Sequence, residues 1–244
     1  MTAFWISGAT CLMTLGGGYI ALRLQAYRGL VLAFCAGALV AGALMDVIPD
    51  ALQLLEESDS GFHHHHLLFA CSLGFLSFYL FEHGAHHTGS HDHPSHYTHP
   101  CQAGPWGAAG IGIHSFFDGV AIGGAFQANS EIGWVVAFAV MLHKVADGAS
   151  TVGVMLGTQH DVKTTAIVLS LTATAPLIGT LVQSAFSIPP PLLALILGWF
   201  AGVFLYLGAS SLLPGAHESG HSRWLPLSTL TGAAFVYVAQ LLAE

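Results

Sequence analysis

From the first residues onward, long apolar stretches alternate with short polar punctuation eight times. The runs fall at residues 3–22, 29–54, 64–84, 105–127, 132–156, 164–186, 190–213 and 225–243. Each exceeds the roughly 18 residues that separate a bilayer crossing from a buried core helix, once interior Gly and Pro are tolerated. The pattern predicts an all-α fold, a polytopic membrane helix bundle of about eight transmembrane helices. At roughly 20 residues per crossing, eight helices consume about two-thirds of the chain and leave no room for a second soluble domain. Residues 1–244 are therefore read as one transmembrane domain. The first run starts beside Met1 without a basic flank or a small-residue cleavage site, and it is expected to be retained as helix one.

Composition agrees with this reading: 7% of residues are charged and 54% hydrophobic, against about a quarter charged in soluble domains. The 29 glycines suit helices that approach closely where lipid supplies no hydrophobic drive for association. Cys11, Cys35, Cys71 and Cys101 are scattered without a C-x-x-C pair and read as packing residues. The net charge is −8 and no basic patch exists, which excludes nucleic acid as a partner. Arg23, Arg28, Lys163 and Arg223 lie in loops on one side, which the positive-inside rule assigns to the cytoplasm, so both termini are expected outside.

Charged side chains inside the predicted spans carry the chemistry, because a charge at mid-bilayer costs at least a few kcal/mol and needs a partner or a role. His114-Ser115-Phe116-Phe117-Asp118-Gly119 and His143-Lys144-Val145-Ala146-Asp147-Gly148 are two copies of H-x-x-x-D-G. Residues four apart share a helix face, so each copy presents an imidazole beside a carboxylate, and the Gly admits a neighbouring backbone. Two copies facing each other supply four ligands, His114, Asp118, His143 and Asp147. Two imidazoles with two carboxylates suit Zn²⁺, Fe²⁺ or Mn²⁺ better than Ca²⁺ or Mg²⁺, which prefer oxygen alone.

A third element is Met45-Asp46-Val47-Ile48-Pro49-Asp50-Ala51 in helix two. Asp46 and Asp50 stand four apart, and Pro49 frees a carbonyl one turn back. The element reads as a fifth ligand or an entry path, with Asp46 the candidate ligand and Met45 and Asp50 along the ion's path. Ser211-Leu212-Leu213-Pro214-Gly215-Ala216 in helix seven keeps the frame of Asp46 to Ala51 with both carboxylates replaced. This echo points to an inverted repeat around helices four and five, with Ser211 on the path.

Between helices three and four, residues 83–104 form a His-rich loop, with His83, His86, His87, His91, His93, His96 and His99 among Gly, Ser and Pro. Such a segment is expected to be cytoplasmic and to hold transition metals weakly. His63 to His66 read as a metal-gathering mouth on the outer side, while His160, His217 and His221 carry no pattern.

The two H-x-x-x-D-G motifs, the Pro49-Asp50-Ala51 turn, eight spans and the His-rich loop together resemble the ZIP (Zrt/Irt-like) family of divalent metal ion transporters. The resemblance implies an intramembrane metal site on helices four and five, reached by carboxylates of helix two, with Zn²⁺ the leading substrate. It also implies both termini outside and a homodimer in the cell (plasma or inner) membrane. Where the family often carries Asn or Asp after the first His of each motif, forming a second metal position, this chain has Ser115 and Lys144. An ammonium there is expected to pair with Asp118 or Asp147 and leave a single-metal site. Helix seven lacks the family's usual acidic residue.

Metal is thus expected as substrate, with no cofactor and no enzymatic activity. An intramembrane zinc hydrolase would need an open coordination position and a poised base. A metal-responsive sensor would share the same ligands and differ in showing no flux. Acid is expected to weaken binding, since protons compete for the ligands.

Overall fold

A computed structural model describes residues 2–58, 61–87, 103–128, 130–158, 160–186, 188–219 and 222–243. Among them, eight long helices follow one another without a strand. They are α1 (Thr2–Arg23), α2 (Gln25–Glu56, opening with a 3₁₀ turn), α3 (His64–His87), α4 (Ala103–Ala128), α5 (Ser130–Gly157), α6 (Val162–Ala185), α7 (Pro190–Glu218) and α8 (Leu225–Ala243). Seven of these, all but α3, meet the length and hydropathy of a bilayer crossing within the described residues. The surface is correspondingly apolar, with Trp5, Leu12, Phe69, Leu171, Phe186 and Leu230 all more than 60% exposed. The protein is an integral, multi-pass membrane protein.

Two helices are not regular throughout. In α2 the turn Ala43–Val47 is a π-turn, and in α7 so is Leu207–Leu212. The cause lies in the following prolines. Pro49 and Pro214 have no N–H to return to the carbonyl four residues back, and the turn widens so that the preceding N–H reaches five back instead. Ile48 N–H bonds to Ala43 O and Leu213 N–H to Gly208 O. Each proline then opens a new helical segment, where its missing donor is harmless. For this reason α7 runs on to Glu218 instead of stopping at 213 as its hydropathy suggests. At the start of α6, Asp161 caps the helix by accepting from Thr164 N–H at 3.1 Å.

Packing relies on backbone-to-backbone contact at glycines, the usual device where lipid and side chains are equally apolar. Gly119 of α4 lies against the Pro176 backbone of α6, and Gly148 of α5 against the Thr14 backbone of α1. Gly179 returns the first contact at Phe116, and Gly17 the second at Val145. Gly37 of α2 meets Thr229 of α8, just as Gly202 of α7 meets Cys71 of α3. Exchanging α1 with α6, α2 with α7, α3 with α8 and α4 with α5 maps each of these contacts onto its counterpart. Phe116 and Val145 even hold the same motif position. Thr14 and Gly17 meet Gly148 and Val145 in antiparallel order, and Phe116 and Gly119 meet Gly179 and Pro176 likewise. Gly133 beside Phe126 with Lys144 beside Ser115 sets α4 antiparallel to α5, so α1 and α6 run in opposite directions. The fold is an inverted repeat, with α4 and α5 at its centre.

Cys35 and Cys71 are buried and Cys11 half-buried, all as free thiols, in keeping with packing roles. Cys101 lies outside the described residues, as do His91, His93, His96 and His99 of the His-rich loop. The backbone of His83, His86 and His87 belongs to the end of α3.

Candidate metal centre

The repeat brings the two H-x-x-x-D-G motifs together near the midpoints of α4 and α5. One ligand atom from each of His114, Asp118, His143 and Asp147 lies within 4.8 Å of every other. His114 Nε2 stands 3.4 Å from Asp118 Oδ2, the one-turn pairing expected from their spacing. His143 Nε2 faces the same carboxylate oxygen across the interface at 3.6 Å, while its Nδ1 is 3.1 Å from Asp46 Oδ2 of α2. Asp46 therefore joins the cluster from the π-turn, through the bend that Pro49 imposes.

Lys144 is fully buried. Its ammonium donates to Asp118 Oδ2, to Asp147 Oδ2 at 2.6 Å and to Ser115 Oγ at 2.9 Å. Three N–H donors thus meet three acceptors, the condition under which a buried charge is tolerated. The pairing expected with either carboxylate is made with both, and Ser115 completes it.

The imidazoles are held differently. His114 is 2% exposed and lies edge-on to Phe204 of α7, with ring centroids 4.7 Å apart. The His114 and His143 rings are 6.0 Å apart. Among the described residues, neither His114 Nδ1 nor His143 Nε2 has a hydrogen-bond partner, although both atoms are buried. An orphaned buried nitrogen is costly unless something else binds it.

Beside the cluster is a cavity of about 20 Å³, lined by Asp46, His114, His143, Asp147 and Ser150 with apolar residues including Phe204 and Val236. That is room for one water-sized guest. Ser150 Oγ, also buried, has no partner among the described residues.

The family model for the ZIP zinc transporter matches residues 107–239, which take in both motifs, most of α4 and all that follows through most of α8. This chain belongs to the ZIP family. It is 32% identical over 143 residues to zinc transporter ZIP10 of Homo sapiens, a stretch covering 51% of this chain and 17% of that protein. Zinc transporter zipt-7.1 of Caenorhabditis briggsae is 27% identical over 114 residues, 44% of this chain and 29% of that protein. IAA-alanine resistance protein 1 of Arabidopsis thaliana is 28% identical over 112 residues, 46% of this chain and 24% of its own length. The chain thus spans under a third of each of these relatives.

Other positions singled out in this ZIP sequence stand further off. Met45 turns its side chain outward and is 47% exposed, and only its carbonyl faces the bundle. Asp50 is exposed, one turn beyond Asp46. Ser211 is buried in the α7 π-turn, at the register of Asp46, and its hydroxyl has no partner among the described residues. His63 to His65, exposed, and the half-buried His66 form a cluster of rings at the start of α3, with His65 and His66 centroids 4.1 Å apart. Sequence reasoning missed Ser150, Phe204 and Gln240. Gln240 of α8 donates its side-chain N–H to Asp46 Oδ1 and, at 3.4 Å, to Met45 O. Its signal was available: it is the lone carboxamide in the last apolar span.

Proposed function

We propose that this protein transports divalent transition-metal ions, Zn²⁺ foremost and Fe²⁺ or Mn²⁺ besides, across the cell membrane into the cytoplasm through the His114, Asp118, His143 and Asp147 site. The observation that carries the reading is four ligand atoms of mixed softness within 4.8 Å of one another, two of them on imidazoles whose buried nitrogens are left over. Ligand atoms on a tetrahedral zinc lie roughly 3.4 Å apart, given bonds of about 2.0–2.2 Å.

Charge counting supports one ion per site. The formal charges of Asp46, Asp118, Asp147 and Lys144 sum to −2, which a single divalent cation neutralises. Lys144 holds the place where a second metal would sit, and Ser115 helps hold it. The small cavity admits an ion stripped of its water, not a hydrated one. Asp46 is the fifth ligand, Asp50 leads to it from the outer side, and Ser211 lines the path at the corresponding point of the second repeat. Transport proceeds by rocking of the two repeats about α4 and α5, which exposes the site alternately to each side. The whole chain acts as one transport domain, in a homodimer in the plasma or inner membrane, and the His-rich loop from His83 to His99 gathers metal on the cytoplasmic side.

Zinc bound at equilibrium to the detergent-solubilised protein tests the site. One equivalent per chain is expected, lost in His114→Ala and Asp118→Ala. Lys144→Asp reverses the charge at the second position and is expected to raise the count to two. Undiminished binding in both Ala variants sinks the site, and an unchanged count in Lys144→Asp sinks the role given to the ammonium.

A further inference from the structure

Gln240 has no part in the four-ligand cluster, yet it holds the residue that closes that cluster from the outer side. It lies on α8, which packs along α2 through the reciprocal glycine contacts Gly37 to Thr229 and Gly232 to Phe34. Its carboxamide nitrogen has two hydrogens and two acceptors within reach, Asp46 Oδ1 and the carbonyl of Met45. That carbonyl is the one that Pro49 deprives of its ordinary helical partner four residues on. The same amide therefore serves the backbone defect and the carboxylate beside it. With Oδ1 taken, Asp46 presents Oδ2 to His143 Nδ1 at 3.1 Å. A carboxylate on a one-methylene stem inside a π-turn has few other anchors, and Asp46 is only 6% exposed, so water does not replace the amide easily.

We propose that Gln240 is a positioning residue for metal uptake: from α8 it fixes the orientation of Asp46, so that one carboxylate oxygen faces His143 and the incoming ion meets a preset ligand. The proposal rests on the transport reading of the site and adds to it a specific residue outside the matched motifs. It accounts for the conjunction of a lone amide in an apolar helix with a carbonyl whose partner four residues on is a proline. At the matching register of α7, Ser211 offers a neutral hydroxyl in place of the carboxylate, so the preset charged ligand is confined to the outer half of the pathway.

The test is a double-mutant cycle of Gln240→Leu and Asp46→Ala, each alone and combined, reading KM and kcat for zinc uptake in liposomes together with equilibrium zinc affinity in detergent. Gln240→Leu alone is expected to raise KM and weaken zinc binding roughly ten-fold, the size of one lost hydrogen bond to a charged group, with kcat per folded molecule within about two-fold. In the Asp46→Ala background the same change is expected to shift either quantity less than about two-fold, because the carboxylate it positions is gone. Additive effects overturn the proposal, since a residue acting only through helix packing costs the same in both backgrounds. Should the Leu variant fail to fold, Gln240→Asn keeps the amide one methylene short and runs through the same cycle. A wild type that binds zinc without saturable uptake refutes the transport reading and leaves the binding cycle to decide Gln240; a wild type that does neither overturns both.

Discussion

Lys144 is the residue whose surroundings say most about how the site tolerates its own charge. Its ammonium is fully buried and shared among Asp118, Asp147 and Ser115, so replacing it with Met takes from both carboxylates the cation they share. Breaking a buried ion pair in this way costs roughly 3–5 kcal/mol. Lys144→Met is expected to unfold at markedly lower temperature in detergent, and added zinc is expected to restore more of its stability than it adds to the wild type. Thermal unfolding with and without zinc measures both, and a Lys144→Met as stable as the wild type would remove the ammonium from the account. At this scale the sequence was informative wherever two polar residues shared a helix face. The four-residue spacing of His114 with Asp118, and of His143 with Asp147, announced a paired site, and Lys144 beside them announced a counter-charge. Gln240 stayed hidden because its partner lies on another helix, and spacing along one chain cannot register that.

The helices themselves follow from run length, but their irregularities follow from single residues. Hydropathy placed all eight helices to within about five residues, seven of them long and apolar enough to cross among the described residues, and nothing in an apolar run distinguishes a regular turn from a widened one. The π-turns at Ala43–Val47 and Leu207–Leu212 come from Pro49 and Pro214, and they determine where Asp46 points and how far α7 continues. The glycines that follow each motif Asp matter as much. A methyl at Gly119 collides with the Pro176 backbone and one at Gly148 with that of Thr14, neither of which is a flexible side chain. Gly119→Ala and Gly148→Ala are each expected to cost roughly 1–3 kcal/mol, the range for overpacking, and to lower zinc affinity by separating α4 and α5 from their neighbours. Folded yield and thermal midpoint give the first quantity. Substitution at Gly8 or Gly16, where the space is open, is the control and is expected to cost far less.

Across the whole molecule the inverted repeat organises both packing and chemistry. In the sequence it was visible as the duplicated H-x-x-x-D-G and a six-residue echo at Asp46 to Ala51 and Ser211 to Ala216, because the two halves share few other side chains. It becomes plain once contacts are known, since Gly37 and Gly202, Gly119 and Gly148, and Gly17 and Gly179 play matched parts. The symmetry is broken where the chemistry demands it, with carboxylates in α2 and a hydroxyl in α7. Two halves of equal build and unequal polarity, packed about the His/Asp cluster, are what the proposed transport requires. Uptake of radioactive zinc by liposomes containing the purified protein, compared among wild type, His143→Ala and Asp147→Ala, tests this most directly. Saturable uptake by the wild type, abolished in both variants, is the predicted result; a wild type that binds zinc yet moves none of it would contradict the account.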